Sequence, residues 1–229
     1  MAKFIAALIY FVICLGCQGQ TVFYSSAVVG NYQMEKFKLW QNEILADFEA
    51  QSLEATIIQE FPASIQMEAG VDIVLENFSI GPFVNYSFTK GKVSYQDFSG
   101  FTASSQNINR ILIGGKISTV QEGVNFYGKI GFNYSSLELI SETKIQNRDL
   151  EVSSFDFSSI GGSLEPGIQW QKTLGRLVFL LSAGYEFNLN GQLNSKDVKD
   201  TYLVDSMNSR ITADFSGLRI GFGLGFAFR

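Results

Sequence analysis

The last fifteen residues alternate between large apolar positions and small or charged ones. The stretch from Phe215 to Arg229 reads FSGLRIGFGLGFAFR. Large side chains occupy one parity (Leu218, Ile220, Phe222, Leu224, Phe226, Phe228), and the other carries Arg219, Gly221, Gly223, Gly225 and Ala227. A period of two indicates a β-strand. A bulky apolar face backed by glycine is typical of a strand whose outside meets lipid and whose inside lines a narrow barrel.

Seven earlier segments show a period of two, most weakly in the first, so we predict an all-β fold with eight strands. These segments are 22–32, 63–75, 78–89, 109–118, 124–135, 160–171 and 177–189. The ionisable residues away from their ends share the parity opposite to the apolar face: Glu68, Asp72, Arg110, Lys116, Lys129, Glu165, Glu186 and Arg219. A Lys or Arg that faces lipid at mid-depth costs roughly 2–4 kcal/mol, which favours a lumen position for this set.

The connections between the segments alternate in length. Those after the second, fourth and sixth segments are a few residues long, whereas residues 33–62, 90–106, 136–158 and 190–210 form long connections. This layout resembles the small bacterial outer-membrane β-barrels of the OmpA/OmpX class, in architecture only, over essentially all of residues 20–229. The resemblance implies an antiparallel transmembrane barrel in a Gram-negative outer membrane. It also implies short periplasmic turns, long extracellular loops and both chain ends on the periplasmic side.

The same resemblance implies a route of assembly. In this class the carboxyl-terminal strand ends in an aromatic residue that serves as a signal to the barrel-assembly machinery. Phe228 fits that pattern, whereas the final Arg229 departs from it. The expected partners are therefore outer-membrane lipid and, during biogenesis, the assembly machinery, with a surface partner unidentified.

The eight ionisable residues comprise four acids and four bases. An eight-stranded barrel has an interior just wide enough for side chains to fill. We therefore expect a buried salt-bridge network that plugs the lumen, with Arg219 as its hub because a guanidinium can hold two carboxylates at once. The alternative is that these residues line a path for ions or protons.

Helical spacing occurs only in the first long connection. Apolar residues recur there every three to four positions, at Met34, Phe37, Trp40, Ile44, Leu45 and Phe48. One hypothesis is a surface helix that lies on the membrane interface or receives a partner. The other is a helix that folds over the barrel mouth and buries its apolar side there.

Residues 1–19 have the layout of a secretory signal peptide, followed by a barrel domain at 20–229. Lys3 precedes an apolar run from Phe4 to Leu15 and then small residues, so we predict cleavage before Gln20. The sequence CLGC also loosely resembles a lipobox, which leaves lipidation at Cys17 as an alternative. Either way, the processed chain retains at most one cysteine and forms no internal disulfide.

Composition excludes several function classes. Without the signal peptide the chain has 16 basic and 22 acidic residues, a net charge of −6, and no basic cluster, which argues against nucleic-acid binding. Histidine is absent, which excludes a Ser-His pair, histidine acid-base chemistry and histidine metal sites. The third and fourth long connections lack the spacing of a calcium loop. We therefore expect no catalytic residues, no metal site and no cofactor.

Three function hypotheses follow. The first is a non-enzymatic, porin-like membrane protein with a charge-plugged lumen that acts through surface loops or as an envelope component. The second is a narrow channel or transporter for small or apolar solutes. The third is a soluble lipocalin-like binding barrel, in which the apolar parity would point inward and the eight charges outward.

Overall fold

A computed structural model describes residues 20–51, 53–61, 63–98, 100–121, 123–145 and 149–228. The predicted signal peptide, Cys17 and Arg229 lie outside the described residues. The elements in chain order are β1 (Gln20–Tyr32), α1 (Glu35–Ala50), β2 (Thr56–Gln59), β3 (Ser64–Val74), β4 (Phe78–Asp97), β5 (Gly100–Thr119), β6 (Gly123–Ile145), β7 (Glu151–Leu174), β8 (Leu177–Asn190), β9 (Asn194–Ser195) and β10 (Gly217–Phe228). No described helix is long and apolar enough to cross a membrane.

Eight of the strands form a closed antiparallel ring. From β3 to β8 each strand pairs with the next one in number, and β8 then pairs with β10. β1 closes the ring because it pairs with both β3 and β10. The seam between the first and last strands is continuous, from Thr21 opposite Phe228 to Tyr32 opposite Gly217. Closure leaves none of these eight strands with a free edge at the level of the ring, which is how a barrel pairs its backbone groups within hydrocarbon.

The apolar parity faces outward. Ile65, Phe132 and Ile160 are 72%, 79% and 73% exposed, and similarly exposed apolar side chains surround the whole ring. The opposite parity is buried along β10, where it consists of four glycines, Arg219 and Ala227. A continuous apolar exterior of this extent is stable only against hydrocarbon. The chain is a transmembrane β-barrel, and the soluble lipocalin-like alternative is wrong because it required the apolar face inside.

Tight turns gather at one end of the barrel, with Gln20 and Phe228. The turn between β7 and β8 needs only Gly175 and Arg176, and Gly175 adopts φ 64°, a left-handed conformation that favours glycine. Gln20 pairs with Val74 directly beside the turn between β3 and β4. By the class layout this end is periplasmic.

At the extracellular end, two connections predicted as long loops are strands instead. Residues 90–106 continue β4 and β5 in register up to Asp97 opposite Gly100. Most of residues 136–158 likewise extends β6 and β7. Above the membrane a strand needs no apolar face toward lipid, so the alternation that marked the lower segments is lost. The connections at 33–63 and 191–216 remain long.

The first long connection fills the extracellular opening. Helix α1 buries Phe37 completely, next to Met34, which lies just before the helix. Both belong to an apolar group that we call the mouth cluster: Tyr32, Met34, Phe37, Phe61, Ile108, Leu137, Phe157, Leu193, Ile211, Ala213 and Phe215. Of the two hypotheses for this helix, the geometry agrees with the one in which it folds over the barrel mouth.

Candidate functional site

The inward parity carries a ring of ionisable side chains at mid-height. The eight candidate residues from the sequence are each at most 6% exposed: Glu68 and Asp72 on β3, Arg110 and Lys116 on β5, Lys129 on β6, Glu165 on β7, Glu186 on β8 and Arg219 on β10. Strand alternation sets which side they face, and the register of six strands determines which of them meet.

Arg110 and Glu186 form the uppermost ion pair. Both nitrogens of the guanidinium fork reach the carboxylate, at 2.6 and 3.1 Å, and neither side chain is exposed. Arg110 Nε also donates to Ser87 Oγ at 3.2 Å. The guanidinium lies 4.4 Å from the ring centre of Phe215, so this pair touches the floor of the mouth cluster. A bidentate arginine pair of this kind is geometrically specific.

Arg219 is bonded to three glutamates. One nitrogen of its guanidinium donates to Glu165 and to Glu186, the latter at 3.3 Å, and the other nitrogen lies 3.4 Å from Glu68. These carboxylates come from β7, β8 and β3, while Arg219 itself lies on the last strand. A planar guanidinium with five donors can serve several acceptors in this way, whereas an ammonium acts as a point charge.

Lys129 closes the network from the other side. Its ammonium donates to both oxygens of Glu68, at 2.7 and 2.8 Å, and lies 3.6 Å from Glu165. Arg110, Lys129 and Arg219 therefore share three glutamates, and we call these six residues the charge cluster. Its formal charge is zero, which offsets much of the cost of removing each ion from water.

Lys116 and Asp72 form a separate pair nearer the periplasm. The ammonium lies 2.7 Å from Asp72 Oδ2, and within the described part of the chain no ion pair joins it to the charge cluster. Lys116 and Lys129 are nonetheless direct cross-strand neighbours. Like charges in that position repel, so each lysine needs its own carboxylate.

Each glutamate of the charge cluster also receives a tyrosine hydroxyl. Tyr127 donates to Glu165 at 2.6 Å, while Tyr24 and Tyr32 donate to Glu68 and Glu186, both at 3.4 Å. Sequence reasoning missed all three tyrosines as site residues, although Tyr24 and Tyr32 alternate with outward-facing neighbours along β1, as Tyr127 does along β6. Their inward parity was the available signal.

Glycines on neighbouring strands make room for these rings. A Cβ at Gly70 would lie 2.6 Å from the Tyr24 hydroxyl, and one at Gly167 would lie 2.4 Å from the Tyr127 ring. Tyr24 faces Gly70 directly across the β1–β3 pair, and Tyr127 faces Gly167 across β6–β7. The bare inward face therefore allows aromatic side chains to lie flat across it and reach the carboxylates.

Below the charge cluster the lumen is open. A cavity of about 710 Å³, which we call the periplasmic vestibule, is lined by strand ends that include Val22, Asp72, Ser118, Asn125 and Leu180. Of the Lys116–Asp72 pair, the aspartate borders it. The described lumen is thus mostly apolar at the top, with one buried hydrogen bond between Gln41 and Gln106, charged in the middle and hollow at the bottom.

No arrangement for metal binding occurs among the described residues: no three or more Cys, Asp or Glu side chains are grouped to hold an ion. The carboxylates of the charge cluster already face cations.

A closed barrel with a polar interior and an apolar exterior is of the bacterial outer-membrane type, which confirms both the resemblance and the predicted localisation.

No protein-family model and no curated protein sequence matches the chain. Solved structures that align with most of it include Ail, the attachment invasion locus protein of Yersinia pestis, at 10% identity over 92% of this chain and 99% of that chain, with a TM-score of 0.41. A major outer membrane protein from Thermus thermophilus aligns at 11% identity over 91% and 99%, with a TM-score of 0.43. Neisserial surface protein A aligns at 12% identity over 92% and 97%, with a TM-score of 0.37. These values transfer no binding activity to the chain.

Proposed function

We propose that the chain is a non-enzymatic outer-membrane protein with a closed lumen, which acts at the cell surface or as a structural component of the envelope. The observation that carries the proposal is the charge cluster, in which three cations and three carboxylates neutralise one another in full burial. An ion entering this level would have to displace a protein partner and leave a buried charge unpaired, which is strongly unfavourable.

The mouth cluster supports the same proposal as a second barrier in series. It consists of apolar side chains directly above the charge cluster, with Phe215 in contact with Arg110. Helix α1 is fastened there by polar contacts at the surface. Lys36 Nζ donates to the Arg210 carbonyl at 2.9 Å, and Glu43 accepts from the Ser206 hydroxyl at 2.8 Å.

The surface role rests on the strands that rise above the barrel. β4 to β7 extend well past the lipid-facing residues and form a continuous sheet in the extracellular space. Such a sheet offers area for a surface partner, which we leave unidentified. In biogenesis we propose Phe228 as the signal read by the assembly machinery; its ring packs against Phe23 at 5.4 Å, on the lipid side of the seam.

A narrow channel is the second candidate, and the periplasmic vestibule favours it. Because the vestibule leaves the periplasmic part of the lumen open, only the charge cluster and the mouth cluster block the passage. Rearrangement of the charge cluster alone would therefore bring periplasmic water up to the mouth cluster. In this hypothesis the eight lumen charges are a pathway and α1 is a gate.

Planar-bilayer conductance of the refolded chain separates the two candidates. We expect no discrete steps from protein whose fold is verified by the mobility difference between boiled and unboiled samples. The double variant Glu186→Gln, Phe37→Ala weakens both barriers and should produce steps, while the matched double variant Glu49→Gln, Leu39→Ala, at exposed positions of α1, should stay silent. Stable steps from the unmodified barrel that change with Glu186→Gln would reject the closed lumen and establish the channel.

A further inference from the structure

The barrel wall has an irregularity at its extracellular rim, where β8 leaves β7. Regular pairing ends with Asn190 opposite Gly161 and resumes with Asn194 opposite Ser158. Four steps along one strand therefore oppose three along the other, which is the signature of a β-bulge. Leu193, inside the bulge, turns inward and is fully buried in the mouth cluster.

A cavity of about 290 Å³ lies at this bulge. Its lower wall is Tyr134 and Ile160, two outward residues of the lipid-facing belt that are 45% and 73% exposed. Its upper wall is polar and comes from Ser158, Gln192 and Asn194. We call this the rim cavity. Because it faces hydrocarbon below and water above, it lies at the depth of lipid headgroups.

One polar atom without a partner lies at the rim cavity. Gln192 lines it, and its side-chain oxygen Oε1 is buried and accepts no hydrogen bond from the described residues. Ser159 also lines the cavity, but it has the inward parity of Phe157, so its hydroxyl points into the barrel. Buried polar groups are nearly always hydrogen-bonded, so the free oxygen of Gln192 indicates a bound group.

The chemistry of that group follows from the lining. No residue of the lining is charged. A phosphate would find no cation there and would meet the acceptor Gln192 Oε1, whereas a sugar hydroxyl can donate to that oxygen and exchange hydrogen bonds with the outward hydroxyl of Ser158. A volume slightly below the roughly 300–1,000 Å³ of small-molecule sites suits a single sugar ring.

We propose that the rim cavity binds the uncharged saccharide headgroup of an outer-leaflet glycolipid. The lipid source follows from the lower wall, since Tyr134 and Ile160 would contact the acyl chains of a molecule whose head is in the cavity. This site is outside the lumen and does not depend on whether the lumen is closed.

The test is native mass spectrometry of the barrel released from phosphatidylcholine nanodiscs that contain a minor share of glucosyl diacylglycerol or, in parallel, of phosphatidylglycerol. We expect glucosyl lipid to remain bound more often than phosphatidylglycerol. Ser158→Trp should fill the cavity and abolish the difference. Asn31→Trp, an exposed outward residue at the rim on β1, should preserve it.

A milder variant guards against misfolding. Gln192→Leu keeps the size of the side chain but removes the free acceptor, and should lower glycolipid retention by about 2- to 10-fold, the range of one lost hydrogen bond. Equal retention of both lipids, or unchanged glycolipid retention in both cavity variants, would overturn the proposal. So would binding of free methyl glucoside as strong as that of the lipid, since the headgroup would then need no membrane.

Discussion

The two ends of the lumen are closed by different means. Above the charge cluster the space is filled by apolar side chains, more than half of which come from outside the barrel strands, whereas below it only the strands contribute and a vestibule of about 710 Å³ remains. Many inward positions of the strands are small residues, so the strands alone cannot fill the interior of an eight-stranded barrel. The connections supply the missing volume, and they do so only on the extracellular side.

The comparison predicts that substitutions in the charge cluster lower the free energy of unfolding more than substitutions elsewhere in the lumen. Arg219→Gln leaves Glu68, Glu165 and Glu186 short of a cation, so we expect the free energy of unfolding to fall by about 3–5 kcal/mol. Denaturant titration in detergent, read by gel mobility, measures this. Arg210→Gln, at an exposed loop arginine, serves as control. Adding Glu165→Gln to the Arg219 variant should recover part of the loss; a further loss would contradict the charge-balance argument.

Weakening the mouth cluster should release α1 without unfolding the barrel. Phe37→Ala removes a fully buried ring, a change that costs roughly 3–5 kcal/mol in a closed core. Because α1 is a separate element over the mouth, we expect it to detach while the barrel itself stays folded and loses little stability. Limited proteolysis should cleave within residues 35–50 while heat-modifiable mobility persists. Leu39→Ala, at a residue 65% exposed on the same helix, should leave cleavage unchanged.

Next in size is the fit between tyrosine and glycine at mid-height. Gly70→Ala would bring a methyl group within 2.6 Å of the Tyr24 hydroxyl and 2.8 Å of the Pro82 carbonyl. We expect a loss of about 1–3 kcal/mol from the displaced ring and backbone. The same titration should find little change for Gly115→Ala, which meets no atom within 4 Å. Equal effects from both would mean that strand propensity, not ring packing, sets the cost.

The smallest effect is expected beside the vestibule. Asp72→Asn removes the charge that faces Lys116, but position 72 lines the vestibule, so water can enter beside the lysine and we expect a loss of only about 1–2 kcal/mol. Glu76→Gln, in the neighbouring turn, provides a surface reference. A loss as large as that of Arg219→Gln would show that the periplasmic half is as dry as the extracellular half.

Much of the barrel could be predicted from the sequence because lipid enforces alternation. The parity of eight segments gave strand number, orientation and the closed antiparallel ring. Above the membrane that constraint ends, so the polar residues 90–97 extend β4 without a periodic signal. Which carboxylate meets which cation depends on register around the ring, and no local pattern encodes it. The partnership of Tyr24 with Gly70 is also invisible locally, since the two residues are 46 positions apart.

The position of Arg219 on the final strand ties the last step of charge balance to the last strand. Summed in chain order over all eight lumen residues, the interior charge is −2 after β3, zero after β5, +1 after β6, zero after β7 and −1 after β8. Arg219 on β10 then returns it to zero. A barrel that closed after β8, without its last strand, would enclose an unbalanced carboxylate, so the penalty for that charge disfavours closure without β10 and couples the end of insertion to the formation of a stable interior.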